Sequence, residues 1–294
     1  MNYYNENTNK IRRRKVSSKD SVSRPISSDN SIERKKNINS IKSEEIKKRG
    51  HRSRRNDKIR KNRLIRTMSL ILLVALVICS AIGSVVTISA LRGAPRVTRQ
   101  LVEDNYISSQ VVSTDKIPND LKNALIAIED QRFYKHNGVD YKSLVRSVVH
   151  NIFSDTTQGG STIEMQISKN LLTNDDKNIK RKIRDMYNAI QIDKIMSKDE
   201  ILGVYLNNVY FGKSSYGVAK ASRTYFGKDV SDLTLAQSAM LVGITNNPAK
   251  YSDHSEAKKR QETILYKMHQ LGYITEEEYK EALYDKVPFK SEIE

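Results

Sequence analysis

Two clusters of residues in this chain have the types and spacing needed to displace an anionic leaving group from a sugar. The first, Glu129-Asp-Gln-Arg-Phe-Tyr-Lys-His136, sets paired carboxylates at the end of an apolar helical run. Phe133 and Tyr134 can partly desolvate a carboxylate there, while Arg132 favours its charged form. An ionised Glu is the state in which a general base takes a proton from a sugar hydroxyl. The plain alternative is a helix-end salt bridge. The second cluster, Gly159-Gly-Ser-Thr-Ile-Glu-Met-Gln-Ile-Ser-Lys-Asn170, is a Gly-rich turn opening a helix that carries Lys169. Ser161 begins that helix, so free backbone N–H groups are expected to face an anion there.

The charge balance around these clusters separates two reactions. A glycosidase needs a second carboxyl to protonate a poor alkoxide leaving group. Pyrophosphate leaves readily and needs only charge neutralisation, which Lys, Arg or a divalent cation supplies. Downstream of Glu129 lie Arg146, Lys169, Lys177, Arg181, Lys182 and Arg184, with fewer carboxylates among them. The balance favours transfer with a phosphate leaving group over hydrolysis.

From Ile117 to Leu283 the order of these motifs closely resembles the peptidoglycan glycosyltransferases, bacterial enzymes that polymerise lipid II. The resemblance implies a mainly α, lysozyme-like glycosyltransferase domain with a small membrane-proximal jaw. It implies that Glu129 is the catalytic base acting on the 4-hydroxyl of the acceptor, with Asp130 and Arg132 in the same motif. Arg146, Ser161, Gln166, Lys169 and Lys177 fall on positions that line the donor and pyrophosphate region. Arg181-Lys-Ile-Arg-Asp185 matches a third motif, with Arg181 on the substrate side and Asp185 as the second catalytic acid. Tyr205-Leu-Asn-Asn-Val-Tyr-Phe-Gly212 resembles a motif that packs behind the cleft.

The resemblance further implies inverting synthesis of β-1,4-linked strands from lipid II with release of undecaprenyl pyrophosphate. The implied partners are lipid II, the growing lipid-linked glycan chain, the membrane and other cell-wall synthases. A divalent cation (Mg or Mn) at the pyrophosphate is compatible with it, and no organic cofactor is implied. The chain departs from the family pattern at Glu164 and Met165, where Thr and Gln are usual, at Asp185, where Glu is usual, and at Gly203, where Glu is common. Locally, Glu164 also fits a capping box with Ser161, and Asp185 an i−4 pair with Arg181. Two other readings stay open: a lysozyme-like lytic enzyme, and a scaffold that binds lipid II without turnover.

The elements that must position these residues read as helices. After Pro118, Leu121, Ala124, Leu125 and Ile128 follow helical spacing up to Glu129. Asp140 can cap a helix carrying Leu144, Val145, Val148 and Ile152, and 154–160 reads as a mobile loop. Ser197-x-x-Glu200 and Thr275-x-x-Glu278 are capping boxes. Gln110-Val-Val-Ser has some strand character within a juxtamembrane connector, 92–116, ahead of a catalytic domain at 117–294.

Composition sets the topology. The net charge is +17 over 294 residues, but residues 1–66 hold 22 Lys+Arg against 7 Asp+Glu, leaving the rest nearly neutral. That tail has too few apolar residues to offset ordering entropy and is expected to be disordered. Either it is a solvated arm or it is drawn to anionic headgroups, by about 1 kcal/mol per basic residue. Thr67 to Leu91 carries no charge and is long enough to cross a bilayer. The Lys/Arg excess before it places the tail in the cytoplasm and the body outside, as a single-pass type II protein.

Other classes fit poorly. The tail lacks interleaved aromatics, so no specific nucleic-acid binding is expected. The five histidines show no metal-ligand spacing and Cys79 is alone. Ser255-x-x-Lys258 has no Lys-Thr-Gly beside it, so the expectation is a monofunctional polymerase without a transpeptidase domain.

Overall fold

The computed structural model describes residues 29–173 and 178–293. By contacts the chain divides into two compact units, Met1–Ile78 and Cys79–Glu294. Helix α1, Asp29–Leu91, supplies what is described of the first and opens the second. Residues 29–66 are therefore helical and not the disordered tail expected from composition, while 1–28 lie outside the described residues. The physical reason is local. No Pro and one Gly, Gly50, fall between 29 and 66, and Lys, Arg and Glu are good helix formers. Glu44 and Lys48 add an i,i+4 pair at 3.8 Å. The apolar part of α1 is long and apolar enough to cross a membrane, and most of its side chains are exposed, with Ala90 near its end buried.

The second unit is helical, with one antiparallel bridge, Tyr210–Tyr216, among the described residues. Its core begins earlier than residue 117. Val97 and Val102 are buried, Val102 on the short helix α2 (Arg99–Asp104) capped by Thr98. The segment expected to have strand character makes no strand. The backbone of Val112 is satisfied by a side chain instead: Asn207 Oδ1 accepts its N–H at 2.8 Å and Asn207 Nδ2 donates to its carbonyl at 2.9 Å.

Helix α3 (Asn119–Glu129) buries Leu121, Ala124 and Leu125, as the spacing requires. Helix α4 (Tyr141–Phe153) is capped by Asp140, but Val145, Val148 and Ile152 point outward while Ser147 is buried. The apolar stripe is real, but it does not face the core. Then follow α5 (Ile163–Ile167), a π-helical turn (Ser168–Leu172), and α6 (Ile179–Ile195). Next come α7 (Lys198–Asn208), α8 (Val218–Phe226) and α9 (Leu235–Ile244). The chain closes with α10 (Pro248–Tyr251), α11 (His254–Gln270), α12 (Glu276–Tyr284) and α13 (Lys290–Ile293). Helix α9 is apolar on every side and packs against both α3 and α11, so it is the centre of the domain.

The capping boxes at Ser197/Glu200 and Thr275/Glu278 form as expected, and Thr234/Gln237 forms a third. Ser161 and Glu164 do not form one. Thr162 caps α5 by accepting the Met165 N–H at 3.2 Å.

Arg99 ties α2 to the start of α7 by donating twice to Glu200, at 2.7 and 3.2 Å. The Arg99 hydrogen bond, followed by those from Ser197, draws the Glu200 carboxyl down to about 2. A carboxyl lowered on folding contributes stability above its unfolded value and loses it as the pH falls towards the folded one. Glu200→Gln is therefore expected to flatten the fall in melting temperature between about pH 4.5 and 2, followed by circular dichroism. An unchanged acid limb would show that the pair contributes nothing.

Candidate active site

A groove of about 460 Å³ opens beside the end of α3, lined among others by Glu129, Arg132, Arg146, Ser161, Gln166 and Lys169. Glu129 is the last residue of α3, where the helix leaves the core and Asp130 turns extended at φ −151°. Its carboxylate accepts a hydrogen bond from Gln166 Nε2 at 2.8 Å, and Gln166 Oε1 accepts from the Tyr205 hydroxyl at 3.2 Å. A carboxylate can only accept, so the amide must present its NH2 to Glu129 and its oxygen to Tyr205. Burial, then the nearby Glu129 charge, pushes the Tyr205 hydroxyl up and keeps it protonated. Gln166 therefore positions Glu129 from within the groove wall.

Arg132 donates to Asp140 at 2.8 Å, clamping the turn after α3 to the cap of α4. Burial works against the charge on Asp140, but hydrogen bonds from Ser143 and Arg132 outweigh it and lower its carboxyl. Arg146 projects from α4 one turn on, donating to Ser143 at 3.3 Å. The loop before α5 is tied back to α4, since Asn151 accepts from the Gln158 N–H at 2.7 Å and donates to its carbonyl at 3.2 Å. Gly160 makes this closeness workable, because a Cβ there would meet Ser147 Oγ at 2.3 Å.

The N–H groups expected to face an anion at Ser161 are taken by the protein. That of Ile163 donates to Asp130 Oδ2 at 3.3 Å and that of Met165 to Thr162. The Ser161 hydroxyl instead accepts from Lys182 at 2.6 Å. Burial, with Arg181 and Lys169 close by, lowers the Lys182 ammonium despite Asp185.

Asp130 borders the groove, but its carboxylate also binds His136 Nε2 at 2.9 Å and is buried. It braces the turn after α3 from the groove wall. Asp185 lies outside the groove lining altogether. It is buried and accepts from Ser168 at 2.8 Å and Thr173 at 3.0 Å, the two ends of the π-helical turn, while Asn188 holds Ser168 from behind at 3.0 Å. Burial raises its carboxyl, against those hydrogen bonds and the charges of Arg181 and Lys182. Its hydrogen bonds reach the turn carrying Lys169, which it helps to position. Arg181 sits 3.7 Å from Asp185 and likewise is not among the groove-lining residues. Lys177 lies outside the described residues.

Among the groove residues that escaped the sequence reading are Ser143, Asn246 and Arg260. Arg260 lies in a polar run on α11 indistinguishable from a solvated face. The available signal was Gly243 in the otherwise bulky α9, where a Cβ would meet Arg260 Cγ at 2.9 Å. Glu129 thus faces Arg146, Lys169 and Arg260 across one groove, and among the described residues none of these three is in an ion pair.

Comparison with known proteins places this geometry. A family model described as Transglycosylase matches residues 91–269, more than half the chain. Penicillin-binding protein 1A of Clostridium perfringens is 38% identical over 231 residues, covering 68% of this chain and 34% of that protein. A protein named as a transglycosylase from Cupriavidus necator is 44% identical over 177 residues, covering 58% of this chain and 76% of that one. The chain thus spans about a third of the length of the clostridial relative. A crystal structure of penicillin-binding protein 1A from Haemophilus influenzae aligns with TM-score 0.37 and 22% identity, over 62% of this chain and 18% of that one.

Asp185→Ala removes the acceptor of the buried Ser168 hydroxyl and of the half-buried Thr173 hydroxyl, and a charge 3.7 Å from Arg181. Leaving buried donors unpaired costs about 1–3 kcal/mol each. A thermal or urea melt of the variant is expected to show a loss of about 2–4 kcal/mol. Asp185→Asn, which keeps one acceptor oxygen, should retain more than half of it.

Proposed function

Because the chain belongs to the transglycosylase family, we propose that it is a peptidoglycan glycosyltransferase that joins lipid II units into β-1,4-linked glycan strands. The observation that carries this reading is the groove shared by Glu129 and three cations, Arg146, Lys169 and Arg260, that have no carboxylate partner among the described residues. Glu129 takes the proton of the acceptor 4-hydroxyl, and the oxygen attacks the anomeric carbon of the donor with inversion. The bond from that carbon to the diphosphate breaks, and undecaprenyl pyrophosphate departs. Lys169 and Arg146 offset the charge that develops on it, as preorganised cations do. Arg260 adds a third positive group on the wall formed by α11.

We assign no resident cation to the groove. Asp130 and Asp140 are already hydrogen-bonded inside the protein, so Glu129 alone would have to hold it. A Mg or Mn ion accompanying the substrate would be bound by phosphate oxygens. The surplus of cations also supports transfer over hydrolysis, which needs a second carboxyl within reach of the sugar.

The membrane arrangement fits the same reading. The apolar stretch of α1 crosses the bilayer with the basic residues before it in the cytoplasm and the catalytic unit outside, a single-pass type II arrangement. The outward apolar face of α4, with Val145, Val148, Ile152 and Phe153 exposed, supports a membrane-proximal jaw that meets the lipid tails of the substrate. Partners beyond lipid II and the growing chain would be other cell-wall synthases.

Glu129→Gln is expected to lower polymer formation from labelled lipid II by about 10²–10⁴-fold while leaving the melt unchanged. Gels that size the glycan products read this directly, and undiminished polymerisation by the variant would refute the assignment. Lys169→Ala should lose most of the activity and Lys169→Arg should recover part of it.

A further inference from the structure

One hydrogen bond ties the helices around the groove to the end of the apolar stretch of α1, and it lies within the unit Cys79–Glu294. Arg184 Nε on α6 donates to the carbonyl of Ala90, 94 residues earlier. Ala90 is fully buried, and Val86, one turn before it on the same side of α1, is half-buried among exposed neighbours. Helix α1 ends at Leu91, and the last four carbonyls of a helix have no partner within it. Those of Ile88 and Leu91 accept from the N–H groups of Arg92 and Ala94, at 3.0 and 3.1 Å. That of Ala90 is taken by a cation, which also complements the negative end of the helix dipole.

Helix α6 is held a second time by the segment after the span. Arg99 on α2 donates to the carbonyl of Ile195, the last residue of α6, at 3.1 Å. Along α6, Lys180, Arg184 and Tyr187 fall at i, i+4 and i+7 and share one side. Lys180 and Tyr187 are exposed there, while the buried side carries Asp185, Ala189 and Ile192. Lys and Tyr are residues that settle at the edge of a bilayer. As a helix, Thr67 to Leu91 covers about 37 Å against a hydrocarbon core of about 30 Å. Centred in the bilayer, it brings Ala90, and with it Arg184, to the headgroups. Asp185, the next residue, holds the π-helical turn that carries Lys169, so the level of the membrane helix is passed through α6 to a groove cation.

We propose that Arg184 docks α6 on the end of the membrane helix, and that the side of α6 carrying Lys180, Arg184 and Tyr187 rests on an anionic headgroup layer. The dock fixes the height of the groove above the bilayer, where a lipid-borne diphosphate lies. The inference rests on the reading that α1 crosses the membrane and that the groove takes lipid II. Arg184 acts here as a positioning residue.

The chain has no Trp, so Tyr187→Trp places a single indole on that side of α6. Full-length protein carrying it is reconstituted in vesicles of phosphatidylcholine and phosphatidylglycerol, with a quencher on the lipid headgroup or at the chain end. Strong quenching from the headgroup and little from the chain end is expected. Adding Arg184→Ala should remove most of the headgroup quenching and increase quenching by aqueous acrylamide, with helical circular dichroism intact. Ala90→Leu, which wedges the buried contact apart and leaves every charge in place, should do the same, and Arg184→Lys should retain part of the signal. In polymerisation assays Arg184→Ala is expected to slow the reaction roughly 10-fold more in vesicles than in micelles, where no bilayer sets a height. Headgroup quenching that survives both Arg184→Ala and Ala90→Leu would overturn the dock, as would an indole that no lipid quencher reaches. Equal slowing in vesicles and micelles would overturn the positioning role. The quenching needs no lipid II, so a wild type that is quenched as expected and makes no glycan refutes the polymerase reading and leaves the dock standing.

Discussion

The hydrogen-bonded chain from Tyr205 through Gln166 to Glu129 is the constraint on which the site depends. A general base must keep its charge at the rim of an apolar core, where burial acts against it. Helix α3 delivers Glu129 to that rim because α9 and α11 hold its other face. Gln166 then offers an oriented amide NH2, which fixes the direction of the carboxylate without adding an opposite charge. A lysine in its place would form an ion pair and weaken the base. Tyr205 anchors the far end in the core, so the amide cannot flip. Substrate-facing and core-facing layers are thus coupled through one side chain.

A second constraint follows from charge. Arg146, Lys169 and Arg260 line one groove with Glu129, and like charges held together repel. Such an arrangement lowers stability in the free protein and is relieved by a polyanionic ligand. The protein limits the strain by placing each cation on a different element: α4, the π-helical turn and α11. Asp185 acts one layer back, where its hydrogen bonds to Ser168 and Thr173 hold the turn open for Lys169. An extra residue inserted in a helix is a common device for re-aiming a functional side chain.

Much of this was legible in the sequence, and the parts that were not share a cause. Glu129 and Lys169 were readable because helix periodicity and a Gly-rich turn fix their neighbourhoods locally. The boxes at Ser197 and Thr275 were readable for the same reason. The hydrogen bonds of Asp130 to His136 and of Asp185 to Ser168 and Thr173 were not readable, because residue type does not reveal which partner a buried carboxylate meets. Ser161 lost its cap to Thr162, whose hydroxyl also donates to Gly138 C=O at 2.6 Å, a contact 24 residues away in sequence. Arg260 was hidden because its place in the groove depends on packing α9 against α11. The helical course of residues 29–66 followed from backbone propensity, which composition alone underweights.

Lys198 shows how a polar residue in the wall is kept. It occupies the first position of α7, where a positive charge opposes the helix dipole by about 0.3–1 kcal/mol. Local preference would place an acid there, as Asp199 and Glu200 do next in line. The lysine is held instead by Glu164 and Asp193, and its ammonium lies 4.4 Å from the centre of the Phe133 ring. Burial lowers that ammonium, yet the two carboxylates outweigh it and raise the group overall. Burial raises Glu164 too, with Lys198 as the main opposing charge. Neither residue is tolerable alone, since breaking a buried pair costs about 3–5 kcal/mol. The unusual Glu in the second motif and the misplaced lysine of α7 are therefore one feature, fixed by a contact that spans 34 residues of sequence.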